Sequence, residues 1–441
     1  MLEAFAPPPP REVHFETEQQ MRATYRYWRV RQLYATFVGY AVFYFVRKNI
    51  PLAIPVMEGE LGYKKADLGI ILTLHDLTYG VSKFVNGVLG DRSNPRWFMA
   101  MGLLFSAVVN VFFGMSSALW TLGLWWITNA WFQGMGFPPC ARILANWFAP
   151  RERGTYWGIW NTSHQIGGAV ILALAGVIAV NYGWRAVFYI PAGIAMVCAL
   201  FLANRLRDTP PSLGLPPVET YTGDRPLSGD THEDMSRAEF FDFLKRHVFS
   251  NLTIWMACVA NFFVYVVRYG FFNWAPAYLH QARHVPLDRA GAMMAAFEIA
   301  GLFGSLAAGW ITDRYFQARR GPVCVYYMLA TAAAVYIFWK LPPGHLFLDG
   351  VLLFAVGFLI YGPQFLVGVM TADQATRRAA ATAIGMTGFF GYLSGVISGW
   401  GLGSIVDRYG WDGAFMLLTA CSLAAAVPFA VTWNARPAQE L

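Results

Sequence analysis

The fold of this chain is decided by a short stretch that occurs twice. Gly87-Val88-Leu89-Gly90-Asp91-Arg92 closes one long apolar segment, and Gly309-Trp310-Ile311-Thr312-Asp313-Arg314 closes another, 222 residues later. Tyr44-Phe45-Val46-Arg47 likewise returns as Tyr265-Val266-Val267-Arg268 after 221 residues, and Tyr182-Gly183-Trp184 returns as Tyr409-Gly410-Trp411 after 227. Because this distance barely changes along the chain, the matches indicate two halves that arose by duplication.

Apolar segments long enough to cross a bilayer surround these repeats. A transmembrane helix needs about 20 predominantly apolar residues, and such segments recur from near residue 31 to near residue 434. The pattern predicts twelve spans, at 31–53, 68–90, 97–116, 119–143, 156–181, 183–204, 251–280, 290–312, 323–340, 346–371, 379–405 and 411–434. We therefore expect an all-α membrane protein whose twelve transmembrane helices form two pseudo-symmetric six-helix halves.

Polar segments predict how the chain divides. We expect a cytoplasmic N-terminal segment at 1–30, a six-helix half at 31–204, a cytoplasmic linker at 205–250, a second half at 251–434 and a cytoplasmic tail at 435–441. Ser236-Arg237-Ala238-Glu239 has the spacing of a capping box and predicts a short amphipathic helix near the end of the linker. The N-terminal region lacks the pattern of a secretory signal peptide.

Composition and charge support a membrane protein. Of the 441 residues, 56% are hydrophobic and 13% are charged, whereas a soluble domain carries roughly 25% charged residues. If the N-terminus is cytoplasmic, 22 of the 33 basic residues fall on cytoplasmic segments, 7 on external loops and 4 within spans. This positive-inside bias explains the net charge of +7 without a nucleic acid partner. We expect both termini in the cytoplasm and the protein in the inner membrane.

The five cysteines lie singly in apolar stretches, without metal-ligand spacing or a disulfide pattern. We interpret them as packing residues. The sequence contains no nucleophile motif and no glycine-rich loop that would cradle phosphate. We therefore expect neither catalytic residues, a metal nor a cofactor.

Most basic residues lie at or beyond the ends of the predicted spans, but four cations lie well inside them: Arg47, Lys48, Lys83 and Arg268. A cation near the centre of the bilayer costs roughly 2.5 to 3.5 kcal/mol even on the gentler insertion scale, and such residues usually mark functional sites. Arg47 alone would also fit a residue that extends to the interface or neutralises a carboxylate. Since Arg268 is its counterpart in the repeat, however, the two should converge near the midplane between the halves. Guanidinium groups bind phosphate oxygens in a planar fork, so the pair predicts an anionic ligand.

Helical spacing suggests which side chains accompany Arg47. Tyr40, Tyr44 and Arg47 follow one another at spacings of four and three and should share one helix face. Lys48 lies about 100° round from Arg47, so both should not point into one cavity. Contact with substrate and pairing with a carboxylate remain alternatives for Lys48.

Other polar residues of the spans extend this site. Tyr79 and Lys83 share one face of the second span. Glu298 is the expected counter-ion of the second half, either in a local structural pair or with a role in transport. His164, three residues after Asn161, is either a hydrogen-bonded packing residue or a ligand; as a ligand it would titrate near the second pKa of phosphate, about 6.

The repeated G-x-x-x-D-R loop resembles the major facilitator superfamily. In that setting, Asp91 and Arg92, and likewise Asp313 and Arg314, would pair across to a neighbouring helix and hold one conformational state.

Longer blocks resemble one branch of that superfamily, the organophosphate:inorganic phosphate antiporter family. The blocks are Val46-Arg47-Lys48-Asn49, Tyr79-Gly80-Val81-Ser82-Lys83-Phe84, Asp91-Arg92-Ser93-Asn94-Pro95-Arg96, Trp160-Asn161 with His164, and Arg268-Tyr269-Gly270. The resemblance implies that the arginine pair holds phosphate. It also implies that the substrate path is lined by Tyr40, Tyr44, Lys83, His164, Tyr265, Tyr361 and Tyr392.

The resemblance implies exchange of inorganic phosphate for glycerol 3-phosphate, a hexose 6-phosphate or a phosphoglycerate. Arg207-Asp208-Thr209-Pro210 and Tyr361-Gly362-Pro363 look most like glycerol 3-phosphate transporters, whereas Tyr25-Arg26-Tyr27-Trp28-Arg29 resembles sugar-phosphate sensors. Asn273 departs from the Asp usual at its place. The leading hypothesis is an antiporter. The alternative is a receptor that senses a sugar phosphate for a two-component system and has a membrane histidine kinase as its partner.

Overall fold

The computed structural model describes residues 6–13, 15–223, 242–375 and 379–435. These residues form sixteen α-helices in chain order: α1 Glu18–Phe45, α2 Ile50–Leu61, α3 Lys65–Asp91, α4 Pro95–Met115, α5 Leu119–Gln133, α6 Phe137–Trp147, α7 Pro150–Asn161, α8 Ser163–Tyr182, α9 Ala186–Arg205, α10 Val218–Thr222, α11 Leu252–Gln281, α12 Leu287–Tyr315, α13 Arg320–Lys340, α14 Leu346–Gln374, α15 Ala380–Leu393 and α16 Leu402–Val431. The described residues also include two π-helical turns, Lys245–Phe249 and Ile397–Gly401, and a 3₁₀ turn, Pro211–Leu213.

Each of the twelve predicted spans coincides with one helix or with helices that meet at a bend. The spans 31–53, 119–143 and 156–181 are each divided into two helices, and the last two spans meet in α16 at a kink at Gly410, where φ is 68°. Eight helical stretches in the described part of the chain are, by length and composition, able to cross a membrane. The remaining predicted spans, 31–53, 68–90 and 119–143, are interrupted or carry charged side chains.

The break between α1 and α2 is held by a buried polar network. The backbone carbonyl of Val46 accepts hydrogen bonds from the side-chain amides of Asn110 on α4 and Asn129 on α5, both at 2.9 Å. Asn49 donates to Asn110 at 3.1 Å, and Ser106 donates to Asn129 at 2.5 Å. A non-helical backbone within the membrane needs such protein partners because lipid offers none. The network therefore fixes the segment that carries Arg47 and Lys48.

The helices assemble into two halves, α1 to α9 and α11 to α16. Helices α1 and α4 begin at one end of the bundle, where α9 also ends; we call it the terminal end. We call the opposite end the far end. At the far end, Glu58 accepts a hydrogen bond from Gln281 of the other half. The carboxylate of Asp407 accepts from the backbone N–H groups of Lys65, at 3.3 Å, and Ala66, at 2.8 Å, at the start of α3. An anion at a helix N-terminus is favourable, so these contacts join the halves at the far end.

Small residues let α8 of the first half and α12 of the second approach closely. A methyl group added to Gly176 would lie 2.3 Å from the carbonyl oxygen of Leu287, and one added to Gly291 would lie 2.5 Å from that of Leu172. Close backbone approach through glycine is the usual way in which transmembrane helices pack. At the terminal end, by contrast, no hydrogen bond or ion pair between the halves is found among the described residues.

The described part of the linker packs on the first half at the terminal end. The ring of Tyr221 stacks on Tyr25 of α1 with 3.8 Å between centroids. Asp208 forms a two-pronged ion pair with Arg142, both hydrogen bonds being 2.8 Å long. The predicted capping box at 236–239 and residues 436–441 of the predicted tail lie outside the described residues, and the domain boundaries remain predictions.

Candidate binding site between the halves

The two intramembrane arginines have different backbone settings. Arg47 lies two residues beyond Phe45, the last residue of α1, whereas Arg268 lies within the continuous helix α11. The guanidinium carbon of Arg47 lies 4.2 Å from the ring centroid of Tyr44 and 4.7 Å from that of Tyr79. Arg268 donates a hydrogen bond of 2.8 Å to the Tyr361 hydroxyl. The Nε atoms of both arginines are buried and have no hydrogen-bond partner, which leaves N–H donors for an anion.

Lys48 departs from the position that helical geometry predicted. Because α1 ends at Phe45, the angle of 100° between successive helical residues does not apply here. Arg47 and Lys48 therefore line the same small cavity. The Lys48 ammonium lies 3.9 Å from the ring centroid of Phe272 and 4.5 Å from that of Tyr269, both in the other half. No carboxylate of the described chain is within ion-pair distance of Lys48.

An aromatic path connects the arginines across the interface. The ring of Tyr79 lies 5.2 Å from Tyr392, which in turn lies 6.1 Å from Tyr265. On the first half, Tyr40 contacts Tyr44 with 5.7 Å between ring centroids. These rings give the site apolar walls with hydroxyl groups at their edges, as in many ligand pockets.

His164 and Lys83 lie on the terminal side of the arginines. The Nδ1–H of His164 donates to the backbone carbonyl of Asn161 at the bend between α7 and α8, and its ring lies 5.9 Å from Tyr44. Lys83 is half-buried, with its ammonium 5.0 Å from the Phe137 ring. The Asn161 side chain is exposed, so its clearest link to the site is the carbonyl that orients His164.

Glu298 lies at the interface on the side of the second half. It is 2% exposed and lies next to Tyr361, the hydrogen-bond partner of Arg268. A methyl group added to Gly168 of α8 would lie 3.5 Å from its carboxyl carbon. No ion pair to Glu298 is found among the described residues, so the structure gives Arg268 no direct carboxylate partner there, and the expected role of Glu298 as a counter-ion stays a prediction.

The repeated loops do not form ion pairs between the halves in the described chain. Asp313 pairs with Arg320 of the next helix at 2.5 Å, and Arg320 also contacts Asp373 of α14 at 3.1 Å. All three lie in the second half. Arg92 and Arg314 are exposed, and the side chain of Asp91 lies outside the described part. Their proposed role in gating therefore stays a prediction.

Sequence reasoning missed part of the cavity. His75, Trp126 and Asn273 line it with Asp76. The Nδ1 atom of His75 lies 3.2 Å from Asp76 Oδ1, and its Nε2 atom is buried without a partner. Asp76, one of the few carboxylates within the predicted spans, shares the helical face of Tyr79 and Lys83.

The formal charges of the site sum to a net positive charge. Arg47, Lys48, Lys83 and Arg268 carry four positive charges, whereas Asp76 and Glu298 carry two negative charges. The net charge of +2 equals the charge that a fully ionised phosphate ester would neutralise. Buried charge of one sign without compensation is unfavourable, so this arrangement favours a dianion.

Two six-helix halves around a central cationic site define a class of membrane carrier. The sequence profile of the Major Facilitator Superfamily matches residues 36–399. A bacterial homologue of the human lysosomal transporter Spinster, solved in an inward-facing and unoccupied conformation, has the same fold, with a TM-score of 0.73 and 17% identity over 92% of this chain and 95% of that one.

Curated relatives cover nearly the whole chain. A probable hexose phosphate transport protein of Chlamydia pneumoniae is 42% identical over 98% of this chain and 97% of its own length. The glycerol-3-phosphate transporter of Bacillus subtilis strain 168 is 40% identical over 98% of both chains. The membrane sensor protein UhpC of Escherichia coli K12 is 36% identical over 96% of both. The chain belongs to the organophosphate:inorganic phosphate antiporter family of the major facilitator superfamily.

Proposed function

We propose that this protein exchanges an organophosphate, glycerol 3-phosphate or a hexose 6-phosphate, for inorganic phosphate by alternating access. The observation that carries the proposal is the pair Arg47 and Arg268, contributed by opposite halves, each with an unpartnered buried Nε atom. Phosphate is the one part that both substrates share. A site that recognises this part accepts either substrate and therefore supports exchange.

The surplus charge of the site explains why exchange would be coupled. Without a ligand, the cations of the two halves repel each other, and a dianion between them converts this repulsion into attraction from both sides. The occluded state is then favoured only when an anion is bound, because a ligand shifts a conformational equilibrium by its differential affinity for the two states. The empty carrier consequently returns slowly.

Orientation determines which side the site faces. The basic residues of the terminal end support a cytoplasmic location for both termini in the inner membrane. In that orientation the joined far end faces outward, and the site is reached from the cytoplasm. His164 and Lys83 then lie on the route by which substrate enters.

Counterflow into proteoliposomes that contain only this protein tests the proposal. Vesicles loaded with inorganic phosphate are offered labelled glycerol 3-phosphate, glucose 6-phosphate or 3-phosphoglycerate in turn. We expect accumulation of at least one ester that depends on internal phosphate. Accumulation that is the same in vesicles without internal phosphate would exclude antiport.

A receptor is the second candidate function, favoured by the match to UhpC over 96% of both chains and by residues 25–29. A receptor would bind the same anions without transporting them and would pass the signal to a membrane histidine kinase. Binding of a sugar phosphate to the purified protein, together with no counterflow of any ester, would favour this reading over transport.

A further inference from the structure

Three arginines converge on the terminal end of α9. Arg31 donates to the carbonyl oxygens of Asn204, at 3.0 Å, and Arg205, at 3.3 Å. Arg207 donates to that of Leu206 at 2.6 Å, and Arg96 donates to the carbonyl of Ala203. The last carbonyls of a helix lack partners within the helix and carry partial negative charge. Capping of the α9 C-terminus therefore explains why arginines lie here, but it does not explain why there are three of them.

The positive charge of this arginine cluster, Arg31, Arg96 and Arg207, exceeds what a helix end can balance. A helix C-terminus is equivalent to roughly half a negative charge, whereas the cluster carries three positive charges. No carboxylate of the described chain lies within ion-pair distance of any of the three. Partial burial and then the nearby charges of Arg96, Arg31 and Arg11 lower the pKa of Arg207 to about 10. The cluster therefore needs a further counter-ion.

Several N–H groups of the cluster have no acceptor among the described residues, which also indicates that the cluster needs an anion. The hydrogen bonds of the described residues use only the Nε atom of Arg96 and only the Nη1 atom of Arg207. Both Nη atoms of Arg96 and the Nε and Nη2 atoms of Arg207 have no protein acceptor there. Both side chains are partly exposed. Such donors suit the oxygens of a phosphate group.

The surroundings match the boundary of a bilayer. The Trp28 ring lies 4.5 Å from the guanidinium carbon of Arg31 and 5.2 Å from that of Arg207. Tryptophan is enriched at the level of lipid headgroups. One to two turns along α9, Val197 and Leu200 are 69% and 71% exposed, on a helix that is long and apolar enough to span the membrane. The cluster thus offers a phosphate site directly next to a surface for acyl chains.

We propose that the arginine cluster binds the phosphate of an anionic phospholipid whose acyl chain lies along α9. Basic pockets between transmembrane helices are known to hold anionic headgroups. A soluble phosphate would satisfy the charges of the cluster but would leave the adjoining apolar surface of α9 unused. The site is separate from the central cavity and does not depend on the proposed transport.

Lipid retention by the full chain in detergent tests this proposal. Native mass spectrometry and thermal unfolding are measured with phosphatidylglycerol, phosphatidylcholine or inorganic phosphate added. Wild-type protein should retain phosphatidylglycerol and gain thermal stability from it, and phosphatidylcholine should do neither. Each arginine near an anionic surface contributes about 1 kcal/mol, so Arg96→Gln with Arg207→Gln should bind phosphatidylglycerol about 30-fold more weakly.

Arg246→Gln is the matched control, since Arg246 is an exposed arginine that pairs with Asp242 at 2.6 Å. Arg207→Gln alone provides a milder variant, expected to weaken binding about fivefold, if the double variant does not fold. Equal retention of both lipids, or unchanged retention in a folded variant, would overturn the proposal. A stabilisation by inorganic phosphate that is lost in the variant, with no lipid preference, would assign the cluster to a soluble anion instead.

Discussion

At the scale of single residues, the two arginines differ from other cations of the site by their shape. Each presents a planar set of donors, and a charge-assisted hydrogen bond contributes roughly 1.5 to 3 kcal/mol. Arg47→Lys and Arg268→Lys keep the charge but lose the fork. We expect each to reduce exchange in proteoliposomes by more than about tenfold and in practice to abolish it. Arg246→Lys, at the surface, is the control; wild-type exchange in either site variant would remove that arginine from the site.

Asp76 offers a test of the charge balance. Asp76→Asn raises the formal charge of the site from +2 to +3 while preserving size. Because a unit charge acts strongly in a water-poor site, we expect inorganic phosphate to bind roughly tenfold more tightly and exchange to slow, since occlusion now leaves one positive charge uncompensated. Equilibrium binding and counterflow measure the two effects. The surface variant Asp242→Asn is the control and should leave phosphate affinity unchanged. An unchanged phosphate affinity in Asp76→Asn would contradict the proposed charge balance of the site.

At the scale of elements, the break between α1 and α2 depends on asparagines from α4 and α5. Asn129→Ala removes one of the two side-chain donors to the Val46 carbonyl. The loss of one partner of a buried polar group costs about 1 to 3 kcal/mol, so the midpoint of thermal unfolding should fall. Phosphate affinity should fall with it, since Arg47 is the next residue.

Asn181→Ala is the control for this variant, because the exposed Asn181 amide bonds only the Val177 carbonyl of its own helix, at 2.8 Å. If Asn129→Ala and Asn181→Ala had equal effects on phosphate affinity, the network would not position Arg47.

At the scale of the whole molecule, alternating access requires the far end to open and close. Gly176→Leu places a side chain where a methyl group already lies 2.3 Å from the Leu287 carbonyl oxygen. A closely packed interface cannot absorb this volume, so the variant should favour the state that is open at the far end and should lose most exchange. Distances between spin labels on α2 and α11 measure the opening. Gly193→Leu is the control, because nothing lies within 4 Å of a methyl group there; normal exchange in Gly176→Leu would contradict the argument.

The sequence by itself determined the twelve spans and the two halves, and it predicted that Arg47 and Arg268 belong to the binding site. These features are readable because lipid requires each crossing segment to satisfy its own backbone and to be apolar, so hydropathy and charge within one segment suffice. The repeat additionally indicated that Arg47 and Arg268 occupy equivalent positions in the two halves. It did not reveal that Arg47 lies at a helix break whereas Arg268 lies within a helix.

Only the tertiary structure decided the details of the site. The break after Phe45 depends on Asn110 and Asn129, more than sixty residues away in the chain, and this break brings Lys48 into the cavity of Arg47. Arg31, Arg96 and Arg207 likewise come together only through packing at the end of α9. Contacts of this kind satisfy backbone groups and charges between segments, and no periodicity within a single segment records them.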